Sequence, residues 1–209
     1  MELDVVIDVV CPWCYVGKRQ LDKALAERPG VVTAIRYRPY QLSAETPAEG
    51  VDRNEYYTRK FGDSPQFKAS REHLIATGKS LGIEFDFESE CRIANTLDAH
   101  RLLRWAMGAG VQLDVAERLM KAYFVECKFL GDHDLLVDIA REASMDADLV
   151  ADLLKSDKDK DLIRSEVHQA HAMGIQGVPM FIFNGNAGVS GAQDASVLVQ
   201  VIDKLQQAA

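Results

Sequence analysis

Between Asp4 and Val10 the chain is rich in Val and Ile and apolar at nearly every position, a pattern that predicts a short strand buried on both faces of a sheet. The spacing then becomes helical. Leu21, Ala24 and Leu25 share one face of a helix that should begin near Cys11, and Pro29-Gly30 ends the pattern. Val31–Tyr37, running into Pro39, predicts a second strand. Strand, helix and strand open an α/β unit.

From about Pro47 to His171 helical periodicity takes over. Ala99, Leu102, Leu103, Ala106 and Met107 form one stripe, and Ala116, Leu119, Met120, Tyr123, Phe124 and Cys127 form another. Asp132 is placed to cap a third helix bearing Leu135, Leu136, Ile139 and Ala143, and further helices are predicted at Ala147–Leu154 and Asp161–Ala172. β character then returns: Met180–Phe183 reads as a strand, Asn184-Gly185-Asn186 as a turn, and Ala187–Ser190 as its hairpin partner, before a closing helix carrying Ala195, Leu198, Ile202 and Leu205. The predicted fold is α/β: a sheet domain made of residues 1–46 and 172–209, interrupted by an all-α helical subdomain at 47–171.

Composition narrows the function. With 47% apolar and 27% charged residues the chain is ordinary globular protein, and 209 residues suffice for a sizeable core. A net charge of −8 argues against nucleic acid, whose binding rests on neutralising phosphates. Asp8 interrupts the N-terminal apolar run, which lacks a basic flank, so neither a signal peptide nor a membrane span is expected and the protein reads as cytoplasmic. Four cysteines (Cys11, Cys14, Cys91 and Cys127) are too few for a disulfide scaffold, and the cytosol would keep structural pairs reduced.

Cys11-Pro12-Trp13-Cys14 is therefore the main chemical signal. A cysteine at a helix start sits among unpaired N–H groups and the positive end of the helix dipole, which favour thiolate and make Cys11 the candidate nucleophile. Cys14, one turn on, can close a disulfide with it and resolve a mixed disulfide. Pro12 suits the first turn because its missing N–H had no partner there, and Trp13 offers an apolar platform for substrate. The competing readings are half of a zinc site in a non-catalytic binding module, which needs two further ligands that the sequence does not supply, and two small core residues.

The strand, the cysteine pair at a helix start and the later "GVPMFIF" resemble the DsbA-like branch of the thioredoxin superfamily. "DVVCPWCYVGKRQL", "NTLDAHRLLRWA", "GVPMFIF" and "SGAQ" together resemble the FrnE-like dithiol–disulfide isomerases, relatives of 2-hydroxychromene-2-carboxylate isomerases and kappa-class glutathione transferases. The resemblance implies a thioredoxin-like fold and thiol–disulfide exchange with a protein or small-molecule substrate. It places a cis proline, Pro179, opposite the cysteine pair, with the Val178 backbone offering hydrogen bonds to substrate. No cofactor is required; glutathione is allowed as a co-substrate, and a homodimer is allowed because such relatives often pair. Two departures stand out. Thioredoxins carry a buried acid where this chain has Val5, leaving Asp8 as a substitute with ordinary solvation as the competing reading, and the glutathione isomerases and transferases usually carry serine where Cys11 stands.

Other candidates follow from the same resemblance. Asn95 is placed either at the cleft, against substrate, or on a structural polar face with Asp98 and Arg101. Gln193 and Asp194 are placed to hold the γ-glutamyl end of glutathione, or Asp194 simply caps the last helix. Tyr40-Gln41-Leu42 either lines the cleft or packs on the sheet. His168 and His171 are spaced to share a metal but lack a third ligand, so no metal site is expected. Cys127 is expected to pack in the core, and Cys91 has no readable role; a bridge between the two is the alternative, though nothing in the sequence places them together.

Overall fold

The computed structural model describes residues 1–62 and 64–208. Strand β1 (Glu2–Ile7) is followed by helix α1 (Pro12–Glu27) and strand β2 (Ala34–Pro39). Next come β3 (Val51–Asp52), α2 (Arg53–Phe61), α3 (Pro65–Ser80), β4 (Arg92–Ile93), α4 (Leu97–Gly108), α5 (Gln112–Phe124), α6 (His133–Glu142), α7 (Ala147–Lys155) and α8 (Lys160–Ala172). Strands β5 (Met180–Phe183) and β6 (Ala187–Ser190) and helix α9 (Ala195–Gln207) complete the chain.

The four-stranded sheet has the order β2-β1-β5-β6. β1 runs parallel to β2 and antiparallel to β5, so Val5 lies between Tyr37 and Phe181. This central position explains why β1 is apolar on both faces: Leu3, Val5, Val6 and Ile7 are all buried. Helices α1 and α9 pack together, while α4, α5 and α8 pack against β2. One hydrophobic core runs from Leu3, Val5 and Phe181 through Leu102 to Leu119, Tyr123 and Phe124, so the sheet and the helical segment share an interior.

The helical segment departs from the all-α expectation. β3 and β4 form a two-stranded antiparallel ribbon, Val51 opposite Ile93. Two residues per strand carry too little alternation to be read from a pattern. Cys127, expected in the core on the stripe of α5, lies beyond the helix at φ 53° and is disulfide-bonded to Cys91, with Cα atoms 5.4 Å apart. The expectation of reduced structural cysteines is corrected by the same bond. The helix stops at Phe124, so the periodicity that reached Cys127 overran its end by three positions.

Arg101 is the largest polar commitment of the core. Its guanidinium is fully buried and donates to the carbonyls of Leu153, Ser156 and Lys158, satisfying the open C-terminal end of α7, and to Asp98 Oδ1 at 2.7 Å. Burial by itself would raise the Asp98 carboxyl, but Arg101 and His133 outweigh it and hold the group below the usual carboxylate range. Among the described residues no helix is long and apolar enough to cross a membrane.

Candidate active site

β1 ends at Ile7, and the turn that follows delivers Cys11 to the N-terminus of α1. Cys11 is the N-cap, in an extended conformation, with Pro12 in the first turn and no side chain capping the helix. Its N–H donates to the Asp8 carbonyl at 3.0 Å, and its own carbonyl accepts from the Cys14 N–H at 3.0 Å. Both thiols are unpaired and buried, Cys11 at 5% exposure and Cys14 at 1%.

The two sulfurs occupy different environments. Cys11 Sγ donates to the Val178 carbonyl at 3.5 Å, across 167 positions of sequence. Cys14 faces inward. Burial pushes its thiol well above the ordinary value, hydrogen bonding to Cys11 and that neighbour's charge add to the rise, and the Asp8 backbone works against it. The Val178-Pro179 peptide is cis, as the family resemblance implied. Pro179 sits against Gly17 on α1, where a Cβ would come within 2.8 Å of Pro179 Cγ.

Cys11 opens into a cleft of about 370 Å³. Pro12, Trp13 and Val178 line it beside Cys11, and Leu42 and Ser43 contribute from the loop after β2. The opposite wall is aromatic: Tyr56, Tyr57 and Phe61 from α2, Phe67 from α3, and Phe87. Lys60 and Arg71 stand among these rings. Burial pushes the Tyr57 phenol up to about 12, with Arg53 pulling the other way, so the ring stays neutral at ordinary pH.

Asp8 is a buried acid at 1% exposure, which corrects the solvated reading. Its Oδ2 accepts from the Leu42 N–H at 2.8 Å, and His100 Nε2 lies 3.4 Å from Oδ1 and 2.9 Å from the Tyr40 carbonyl. Asp8 thus fixes both Cys11, through its carbonyl, and the loop that forms one side of the cleft. His100 went unread in the sequence; its signal was an imidazole next to Ala99 on the core stripe of α4.

Asn95 serves that same loop and does not line the cleft. Its Nδ2 donates to the carbonyls of Ala44 and Thr46, and its Oδ1 accepts from Gln41 and from the Leu97 N–H. Of Tyr40-Gln41-Leu42, only Leu42 reaches the cleft; Tyr40 packs 4.6 Å from the His171 ring. Gln193 and Asp194 lie outside the cleft lining and are exposed. Gln193 Nε2 donates to the Ser190 carbonyl, and Asp194 Oδ1 accepts from Gln20. Asp194 occupies the N-cap position of α9 without a side-chain cap bond, while Gln20 Oε1 accepts from the Ala195 N–H there. Among the described residues no three His, Cys, Asp or Glu side chains cluster as a metal site would require.

The cleft wall is what sequence reasoning missed. Tyr56, Tyr57, Phe61 and Phe67 are an aromatic concentration in a short stretch, which was the available signal. Nothing in their spacing said that α2 and α3 fold back over Cys11.

Comparison with known proteins agrees with this geometry. A protein from Streptomyces coelicolor, described as the probable DsbA oxidoreductase SCO1869, is 30% identical with a TM-score of 0.90, over 100% of this chain and 91% of that one. A 2-hydroxychromene-2-carboxylate isomerase shares the fold at 17% identity and a TM-score of 0.71, over 100% of this chain and 97% of that one. The cytosolic disulfide reductase DsbM from Pseudomonas aeruginosa does so at 15% identity and 0.68, over 100% of both chains, and its structure has been solved with GSH. The model of the DSBA-like thioredoxin domain matches residues 2–203, and the chain belongs to that family.

Proposed function

We propose that the protein is a thiol–disulfide oxidoreductase that exchanges electrons with a thiol or disulfide substrate through Cys11 and Cys14. The observation that carries this reading is the unequal placement of the two sulfurs: Cys11 opens on the cleft beside the Val178 carbonyl, while Cys14 is buried behind it and held as thiol. In the reducing direction the Cys11 thiolate attacks a substrate disulfide, forms a mixed disulfide and expels one thiolate. Cys14 then gives up its proton and attacks Cys11 Sγ, which expels the second thiolate. Two electrons pass to the substrate and a Cys11–Cys14 disulfide remains. The oxidising direction is the reverse.

This chemistry needs no metal or organic cofactor. Glutathione fits as a co-substrate that resets the pair, and the fold likeness to DsbM supports it; the same likeness supports the cytoplasm as the compartment, against which the Cys91–Cys127 disulfide counts. The fold likeness to 2-hydroxychromene-2-carboxylate isomerase favours one other reading, a glutathione-dependent isomerase or transferase using Cys11 alone. A Cys14→Ser variant separates them. Dithiol exchange predicts that the variant accumulates a mixed disulfide on Cys11, seen by mass spectrometry of the intact protein, and loses turnover by about 100-fold or more, as when a covalent intermediate cannot be resolved. Glutathione-dependent turnover retained in the variant would overturn the dithiol mechanism.

A further inference from the structure

The cleft restricts what can reach Cys11. Its volume of about 370 Å³ is at the small end of the range for small-molecule sites, roughly 300–1,000 Å³, and suits one substituted ring better than a folded loop. Its walls are mostly carbon. An inserted polypeptide would bring N–H and C=O groups that such walls cannot satisfy.

The aromatic wall has order. Phe61 and Phe67 stack with centroids 4.9 Å apart and planes 11° apart, and Tyr57 stands 6.0 Å from Phe61 and 6.2 Å from Phe67. Phe61 is 46% exposed, an apolar surface left open at the cleft. Rings arranged this way accept a further ring edge-on or offset.

Charge supplies the second constraint. Arg71 is paired with Glu88 and bonded to the Phe87 carbonyl. Lys60 differs. Its Nζ donates to Tyr56 Oη at 2.6 Å and to the Leu42 carbonyl at 3.3 Å, and no described carboxylate lies within ion-pair distance. Glu45 is the acid on the facing loop; its own backbone N–H and Ser43, at 2.9 Å, hold its carboxylate below the usual range, and the Lys60 charge adds to this from beyond contact distance. Among the described residues Lys60 is in contact with no carboxylate, and such a cation at an aromatic cleft favours an anionic group on the ligand.

We infer that the cleft selects a small aryl thiol or disulfide bearing a carboxylate, its ring against Tyr57, Phe61 and Phe67, its carboxylate at Lys60 and its sulfur at Cys11. This inference rests on the oxidoreductase reading above. The reaction is one turn of that cycle: reduced Cys11 and Cys14 pass two electrons to the aryl disulfide, two aryl thiolates leave, and the protein disulfide forms.

The test is single-turnover oxidation of the reduced full chain by bis(carboxyphenyl) disulfide, its neutral amide, bis(hydroxyethyl) disulfide and glutathione disulfide. Each rate constant is divided by that of the same disulfide with dithiothreitol, which cancels leaving-group strength. The carboxyphenyl compound should exceed the hydroxyethyl and glutathione disulfides by about tenfold or more, the scale of one charge-assisted hydrogen bond with ring burial. Lys60→Met should bring the carboxylate down to the level of the amide, and Phe67→Ala should lower both aryl compounds together. Ratios equal to within about twofold, or glutathione disulfide in first place, would overturn the aryl selectivity while leaving the oxidoreductase reading intact. Failure of all four to oxidise Cys11 and Cys14 would overturn both.

Discussion

Burial of Cys14 has a kinetic signature. A thiol held above its ordinary pKa is protonated at neutral pH, so resolution of a Cys11 mixed disulfide should accelerate as pH rises, by about tenfold per unit below that pKa. Burial is the leading cause of the shift and persists when Cys11 is blocked. Stopped-flow release of a chromophoric thiol from the mixed disulfide between pH 6 and 9 would measure the slope, and a flat profile would contradict it. At this scale the sequence was readable where chemistry is local. The placement of Cys11 and Cys14 at the start of α1 was legible because a proline and a helix start lie within the same four residues. Asn95 and Asp8 did not, because a polar side chain looks the same whether it meets solvent, substrate or another loop's carbonyls.

Among elements, the α4–α7 contact depends most on one side chain. Most ion pairs of this protein are at least partly exposed and each is worth about 0–1 kcal/mol, whereas Arg101 is wholly buried and satisfies the carbonyl end of α7. Arg101→Ala strands those carbonyls and leaves Asp98 with His133 alone, and should cost about 3–5 kcal/mol in urea denaturation. A loss below about 1 kcal/mol would mean that water replaces the guanidinium. The four strands of the main sheet and helices α1 and α4–α9 were legible from periodicity. α2 and α3 were covered only by the general helical expectation, because their faces are aromatic and polar toward the cleft and leave no plain apolar stripe. The β3–β4 ribbon was illegible for the opposite reason: it is too short to repeat.

At the level of the whole molecule, the Cys91–Cys127 bond joins the residue just before β4 to the segment just beyond α5. It encloses a separation of 36 residues, a loop whose closure is worth about 3–4 kcal/mol by chain entropy. A Cys91→Ala/Cys127→Ala double variant should lose about that much stability against the parent without reductant, and the gap should vanish in dithiothreitol. Equal denaturation midpoints without reductant would show that the bridge does not support the fold. No sequence pattern paired these two cysteines, since the match depends on where two loop ends arrive after the helical segment has folded. The overall α/β architecture was easier to read, because strands and helices alternate in an order that admits few topologies.

Gly17 shows what such packing means for anyone improving this protein. By helix propensity alone, alanine in place of a mid-helix glycine is an easy gain of about 1 kcal/mol. Here the added methyl group would push on Pro179 and, 3.3 Å away, on Phe181, displacing β5 and the Val178-Pro179 segment that leads into it. A more stable helix would be traded for a misaligned contact between α1 and the Val178-Pro179 segment. The missing side chain is therefore a spacer that sets how closely two distant stretches of chain can meet.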